Sequence, residues 1–335
     1  MPQRLPLDPH GLVHFADVRA QGRHSELRAA VANGDLVQIR RGVYRDASKA
    51  PIGTGPAPSP AERRRIEYLA ATHAVARTFS APVFTSYSAA VLHGLPIIGP
   101  WPAEVYILAR GPHGRRRAGV VEVARTKPVE CLEIDGCLTT SVEFSLLQLA
   151  RHAPLIAALT ATDAALHIPR ITARTPHTTP DRLAAEHIRL KPYAGSRRAE
   201  AVLSRATPLA DSPLETGSRI LIEELGFSEP QLQHELWLPE LGRPAFLDFF
   251  WPEVGVGVEV DGRGKYRAGS RSADGTAVGR AVDAVISEKD RENAIRRQVA
   301  GFDRWDWNDM LARAPVEERL LRLGVPRTRR RRYLT

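Results

Sequence analysis

The sequence predicts a mixed α/β protein that is built from several folded parts. Three observations in its 335 residues support this: a short helical front with a basic hairpin pattern, a middle of helices and strands, and a late helix-strand block. A chain of this length allows two or three domains. The predicted parts are a helical front with a hairpin at 1–48, an α/β middle domain at 60–170, a linker and helix at 171–210, an α/β sandwich at 211–325 and a basic tail at 326–335.

The front of the chain contains two short helical segments, "HFADVRAQ" and "HSELRAAVANGDL". The next segment, "LVQIRRGVYR", has the pattern of a two-stranded hairpin that turns at Arg41 and Gly42. Two helices and a basic hairpin predict a winged helix-turn-helix, whose second helix would enter the DNA major groove, although many small helical domains share this spacing. The arginines that would contact phosphates or bases are Arg28, Arg40, Arg41 and Arg45.

The middle domain follows "ASKAPIGTGPAPSP", a Pro-, Gly- and Ala-rich segment that predicts a linker. After it, "AERRRIEYLAATHAVARTF" predicts an amphipathic helix, and "AEVYILAR", "GVVEVAR" and "CLEIDGCLTT" have strand patterns. The segment "SVEFSLLQLARHAPLIAALTATDAALH" predicts two helices, the first capped by Ser141. These patterns predict a mixed α/β middle domain.

The charge of the chain favours a polyanionic partner. Its net charge is +9, and arginines are grouped at 63–65, at 115–117 and in the tail, which favours nucleic acid. Together with the winged-helix pattern, the charge makes double-stranded DNA the expected partner. The alternative is an arginine-rich composition with a solvated tail. The chain has two cysteines, no apolar span and no signal-peptide pattern at its start, so we expect a cytoplasmic protein without membrane contact. The sequence leaves its oligomeric state open.

Three carboxylates stand in or beside strand-like segments of the late block, "LDFFWPEVGVGVEVDGRGKY". A buried carboxylate without a partner is costly, so acids in a sheet need an explanation. Glu259 and Asp261 lie two residues apart and therefore point to one side of a strand, and a tight turn would bring Asp248 beside them. Three such oxygen ligands suit Mg²⁺ or Mn²⁺, and Glu215 on the preceding helix would add a fourth carboxylate.

The order of these residues carries a resemblance. The late block has a glutamate on a helix, an aspartate on a strand and the motif Glu-x-Asp-Gly, followed by "SEKDRENAIRRQ" and "GFDRWDWNDM". This order resembles the very-short-patch-repair-like branch of the PD-(D/E)XK nuclease superfamily. The resemblance implies a restriction-endonuclease-like α/β sandwich, with a metal bound by Asp248, Glu259 and Asp261. Because Asp261 stands where relatives often carry Lys, the resemblance fits both an active nuclease and a member that binds DNA without cutting. The implied catalytic set is Glu215, Asp248, Glu259, Asp261, Lys265 and Lys289.

The front and middle of the chain carry a second resemblance. "LVQIRRGVYR", "SYSAAVLHGLPI" and the "VEFSLLQLAR" helix are similar to AbiEi-type antitoxins of abortive-infection toxin–antitoxin pairs. This resemblance implies that the winged helix binds operator DNA and that the next domain counters a nucleotidyltransferase toxin. We therefore expect a DNA-binding autorepressor or antitoxin with a nuclease-fold end; the alternative is an active Mg²⁺-dependent endonuclease targeted by the winged helix.

Overall fold

The chain is a mixed α/β protein that contains helices and several small sheets. The computed structural model describes residues 5–47, 58–169, 175–261 and 276–334. Contacts divide the chain into two compact units, which consist of residues 1–153 with 181–200 and residues 154–180 with 201–335. Among the described residues, none of the helices combines the length and the apolar character that crossing a membrane requires.

The front of the first unit is a three-stranded antiparallel sheet with two helices. Its elements are β1 (Leu12–His14), α1 (Phe15–Ala20), α2 (His24–Ala32), β2 (Leu36–Arg40) and β3 (Val43–Asp46). The strand order is β1–β3–β2. Val18 and Leu27 from the helices form a core with Val13 and Leu36 from the sheet. The helices and the hairpin match the sequence prediction; β1 is an addition, since three residues are too few to show a strand period.

The rest of the first unit surrounds a second small sheet. Its elements are α3 (Pro60–Thr78), α4 (Ser86–Leu92), β4 (Val105–Leu108), β5 (Arg115–Arg117), β6 (Val120–Val123), β7 (Cys131–Ile134), β8 (Cys137–Thr140) and α5 (Val142–His152). The strands form a sheet in the order β4–β6–β5 and a β7–β8 hairpin. The Ser141 hydroxyl accepts a hydrogen bond from the Phe144 amide, so the predicted cap of α5 is present. Strand β5 was not expected, because its three arginines lack alternation.

Three helices lie near the points where the chain changes unit. They are α6 (Leu155–Leu166), α7 (Pro180–Leu190) and α8 (Ser196–Leu203). The sequence analysis assigns residues 155–166 to the middle domain, whereas contacts group α6 with the second unit. The reason is a buried ion pair: Asp163 of α6 accepts a 2.7 Å hydrogen bond from Arg219.

The second unit is a four-stranded sheet between helices. Its elements are α9 (Pro213–Leu225), β9 (Gln231–Leu238), β10 (Arg243–Trp251), β11 (Val256–Val260), α10 (Thr276–Gln298), β12 (Gly301–Trp305), α11 (Trp307–Ala312) and α12 (Ala314–Arg322). The strand order is β12–β11–β10–β9. Strands β9 to β11 pair antiparallel, whereas β11 and β12 pair parallel, with α10 in the crossover.

The two sides of this sheet bury separate cores. On one side, Leu221 of α9 packs with Phe249, Trp251 and other buried apolar residues of the strands. On the other side, Ala294 and Ile295 of α10 pack with strand residues that include Leu247. We call these sides the α9 side and the α10 side. Each candidate acid can therefore be assigned to a side by its contacts.

The basic tail after α12 packs onto its own unit. Its backbone amides donate to the carbonyl oxygens of Gly226 and Glu224. Arg327 and Arg331 pair with Glu317, and Arg332 pairs with Glu223. These glutamates offset the positive charge that the sequence analysis associates with a polyanion.

Candidate functional site

Two of the predicted acids occupy opposite backbone positions on neighbouring strands. The β10–β11 register places Asp248 of β10 next to Glu259 of β11. Asp248 Oδ2 accepts a 2.7 Å hydrogen bond from the Val260 amide, which fixes the carboxylate against β11. The predicted tight turn between the strands is present, and it brings Asp248 to Glu259 as expected.

Gln233 of β9 connects two of the predicted acids. Its Nε2 lies 2.8 Å from Glu215 Oε2 and 3.1 Å from Asp248 Oδ1, so one amide group donates hydrogen bonds to both carboxylates. Gln233 has a φ of +52°, which is uncommon for a residue other than glycine. Leu247 packs toward α10 but Phe249, two residues later, packs toward α9. Strand β10 therefore changes side at Asp248, opposite Gln233.

Glu215 is buried at the start of α9, and its hydrogen-bond donors among the described residues are neutral. Ser212 caps the helix by accepting from the Glu215 amide, and its hydroxyl lies 2.7 Å from Glu215 Oε1. The Asp211 amide donates to Glu215 Oε2 at 2.9 Å. Burial raises the pKa of Glu215 to about 7, and the charge of Asp248 contributes to the rise. Glu215 therefore holds a proton near neutral pH more readily than an ordinary glutamate.

Glu259 is buried on the α10 side, where two arginines bind it. Both terminal nitrogens of Arg291 lie 2.7 Å from Glu259 Oε1, and Arg304 Nη2 lies 2.7 Å from Oε2. Burial raises the pKa of Glu259 to about 7, although Arg291 and Arg304 oppose the rise. Glu288 of α10 also binds both arginines, so two carboxylates and two guanidiniums form one network.

The remaining predicted residues lie at the margin of this network or outside it. Asp261 is half exposed, and its Oδ2 lies 3.7 Å from Arg304 Nη1, on the side that Glu259 occupies. Lys289 is exposed on α10, and no contact places it at the acids. Lys265 lies outside the described residues. The described contacts therefore do not place Lys289 in the site, and the role expected for Lys265 stays a prediction.

The acids do not converge on one point as the sequence analysis expects. Glu215 approaches Asp248 from the α9 side, whereas Glu259 points to the α10 side and gives both oxygens to arginines. In the part of the chain that the structure describes, no group of three or more His, Cys, Asp or Glu side chains could hold a metal ion. These residues by themselves therefore do not fit the predicted Mg²⁺ or Mn²⁺ site, and we derive no catalytic step through a metal.

The four predicted DNA-binding arginines separate into two pairs. Arg28 on α2 and Arg41 in the β2–β3 turn are exposed, and neither has a hydrogen-bond or ion-pair partner among the described residues. In contrast, Arg40 Nη2 donates to the Ala118 carbonyl at 2.7 Å, and Arg45 lies 3.8 Å from Glu67. Only Arg28 and Arg41 are therefore available to a partner without breaking a contact.

Sequence reasoning missed Gln233, Arg291 and Arg304. A glutamine within an alternating strand pattern does not indicate that its backbone has a positive φ or that its amide is buried. Arg304 offered a clearer signal, because a basic residue in the late strand "FDRW" would lie beside β11 if the two strands are neighbours. Comparison with protein-family models, curated proteins and solved structures finds no match to the chain.

Proposed function

We propose that this chain is a double-stranded DNA-binding protein, specifically a transcriptional autorepressor or antitoxin of a toxin–antitoxin or phage-defence system. The observation that carries the proposal is the pair of exposed, unpartnered arginines, Arg28 on α2 and Arg41 in the β2–β3 turn, within the described part of the first unit. Both roles belong in the cytoplasm, where the DNA is.

In this proposal, the elements from β1 to β3 are a winged helix-turn-helix. The order helix, helix, hairpin and the three-stranded sheet support the assignment. Helix α2 enters the major groove, where Arg28 reads a base edge, and Arg41 at the tip of the hairpin contacts a phosphate. Arg40 and Arg45 have the different role of holding the hairpin to the rest of the first unit.

A binding experiment tests the DNA-binding proposal. The probe is a fluorescent duplex from the region upstream of the protein's own gene, compared with a scrambled duplex of equal length. We expect tighter binding to the upstream duplex, and we expect the double variant Arg28→Gln/Arg41→Gln to lose this preference. The matched control is Arg297→Gln/Arg322→Gln, which removes two exposed arginines from the second unit. Equal binding to both duplexes by the wild type would refute the repressor role.

The antitoxin role adds a protein partner, which we propose to be a nucleotidyltransferase toxin. The support is the resemblance of residues 12–167 to AbiEi-type antitoxins. Co-expression with a nucleotidyltransferase from a neighbouring gene should relieve growth arrest. The Arg28→Gln/Arg41→Gln variant should still relieve it, because the resemblance implies that the toxin is countered by the domain after the winged helix. If the wild type relieves no arrest, the autorepressor proposal remains and the antitoxin proposal fails.

A second candidate function is a metal-dependent endonuclease with a restriction-endonuclease-like fold in the second unit. The observation that favours it is the buried Glu215–Gln233–Asp248 group, since carboxylates with raised pKa values occur often at catalytic sites. This candidate requires Asp248, Glu259 and Asp261 to rearrange before they could bind Mg²⁺ or Mn²⁺, because Arg291 and Arg304 occupy both oxygens of Glu259 in the structure.

Plasmid nicking with added Mg²⁺ or Mn²⁺ tests the endonuclease. The variant is Asp248→Asn, and the matched control is Asp303→Asn on β12, whose carboxylate pairs with Arg319 and Arg322. Metal-dependent nicking that Asp248→Asn abolishes and Asp303→Asn preserves would establish the enzyme. Nicking that both variants retain would indicate a contaminating nuclease, and the regulator proposal would stand alone.

A further inference from the structure

The first unit exposes a basic strand that the proposed function does not use. Strand β5 consists of three arginines and lies at the edge of its sheet, paired on one side with β6. Side chains alternate along a strand, so Arg115 and Arg117 project from one face, about 6.8 Å apart along the strand. Their side chains are 60% and 51% exposed.

A single carboxylate orients both of these arginines. Glu122 on β6 is directly opposite Arg115, and its side chain is only 10% exposed. Arg115 Nε donates to Glu122 Oε2 at 3.0 Å, and Arg117 Nε donates to Oε1 at 2.8 Å. Glu122 accepts from the Nε groups, and the terminal nitrogens of the two guanidiniums have no hydrogen-bond partner among the described residues. One acid balances one of the two positive charges.

The same strand is attached to the β2–β3 hairpin that carries Arg41. Arg40 Nη2 donates to the carbonyl of Ala118, in the tight turn between β5 and β6. The guanidiniums of Arg40 and Arg117 each lie 5.3 Å from the centre of the Phe79 ring. The hairpin, the ring and the basic strand therefore form one continuous surface within the first unit.

We propose that β5 extends the DNA contact of the hairpin, with Arg115 and Arg117 binding the phosphate backbone of the same duplex. The inference rests on the proposed DNA binding and adds a second contact region to it. A duplex backbone is the partner that fits, because ordered guanidiniums at strand spacing match successive phosphate groups in charge and in hydrogen-bonding geometry. The contact carries no sequence information, so it adds affinity without adding specificity.

The competing explanation is that the arginines only protect the edge of the sheet. Charged side chains on an edge strand prevent pairing with another chain, and this role needs no ligand. The salt dependence of DNA binding separates the two explanations, because each phosphate contact changes the slope of log Kd against log salt by about 0.9. An edge that only prevents aggregation would leave that slope unchanged.

The experiment measures binding of the full chain to a duplex of arbitrary sequence by fluorescence anisotropy over a range of KCl concentrations. For Arg115→Gln/Arg117→Gln, we expect the slope to fall by about 1.8 and the affinity at 0.15 M salt to fall by roughly tenfold or more. The variant Arg115→Lys/Arg117→Lys should keep most of the slope, because it keeps the charges. Arg297→Gln/Arg322→Gln is the charge-matched control and should keep the wild-type slope. Circular dichroism melting verifies that each variant folds.

The possible failures are distinguishable. If Arg115→Gln/Arg117→Gln keeps the wild-type slope while Arg28→Gln/Arg41→Gln lowers it, the β5 contact is wrong and the proposed function stands. If the control lowers the slope as much as the β5 variant does, general charge explains the effect and the inference is wrong. If the wild type binds no duplex, the proposed function fails and the inference fails with it.

Discussion

The charged groups of the two units are arranged in opposite ways. In the first unit, the arginines at 28, 41, 115 and 117 are exposed to solvent. Glu122 binds the Nε groups of the last two and leaves their other N–H groups without a hydrogen bond from the described residues. In the second unit, Glu259, Glu288 and their arginines bind one another, and Glu215 is enclosed by neutral donors. The same residue types are thus exposed to solvent in one region and bound to one another in the other.

This difference shows that a motif of acids in a sequence does not define their role. A buried carboxylate needs donors, and two guanidiniums satisfy Glu259 without any bound ion. An exposed arginine has no such need, since water solvates it, so its position on a surface is more informative about partners. We therefore give more weight to the arginines of the first unit than to the acids of the second.

The largest expected effect comes from breaking the buried network of the second unit. Arg304→Ala leaves Glu259 and Glu288 with one arginine between them, and we expect the free energy of unfolding to fall by about 3 kcal/mol. Urea unfolding measures the loss. The matched control is Arg322→Ala, an exposed arginine, which should cost less than about 1 kcal/mol. Equal losses in the two variants would show that the network contributes no more than a surface ion pair.

A second effect is the pH dependence that Glu215 imposes on stability. Its folded-state pKa of about 7 lies above the ordinary value of 4.5, so the folded protein holds a proton that the unfolded chain releases in this range. Stability therefore decreases as the pH rises from about 4.5 to 7. Glu215→Gln mimics the protonated acid and should gain stability relative to the wild type by about 2 kcal/mol between pH 5 and pH 8.

Thermal or urea unfolding at the two pH values measures this gain. The control is Glu223→Gln, because hydrogen bonds from Arg205 lower the pKa of that carboxyl and its substitution should act in the opposite direction. A pH-independent difference between Glu215→Gln and wild type would contradict the raised pKa.

A third effect separates recognition from stability in the first unit. Arg28→Ala should weaken binding to the upstream duplex by about 1–3 kcal/mol, because it removes the base contact that we propose. It should leave the free energy of unfolding nearly unchanged, because Arg28 is exposed and unpartnered in the described structure. Arg40→Ala is the contrasting variant: it should reduce stability, since it removes the bond to Ala118.

The smallest expected effect concerns the turn between β5 and β6, whose Ala118 carbonyl accepts a hydrogen bond from Arg40. Ala118 has a φ of +47°, which favours glycine, and it precedes Gly119 at +73°. Ala118→Gly should therefore stabilise the first unit by about 0.5–1 kcal/mol without changing the salt dependence of DNA binding. The paired control is Ala29→Gly on the exposed part of α2, which should destabilise the chain by a similar amount.

Much of the secondary structure could be predicted from local patterns. The cap of α5 at Ser141 and the helix α3 depend on neighbours within a few residues, and both are present. The position of Asp248 beside Glu259 was also predictable, because a tight turn leaves antiparallel strands few alternatives. Strand β5 was not predictable because its three arginines lack the alternation of a strand pattern, although its partner β6 is close in sequence. The grouping of α6 with the second unit was not predictable because it depends on a distant partner, Arg219.

The sequence by itself determined the order of helices and strands, the excess of arginine and the presence of acids in the last sheet. Only the tertiary structure decided what those charges do. Glu259 points to the α10 side because its neighbours Val258 and Val260 pack on the α9 side, and the partners of Glu259 come from residues 291 and 304. Local propensity acts over a few residues, whereas the burial and pairing of a charge depend on chain segments far apart in sequence.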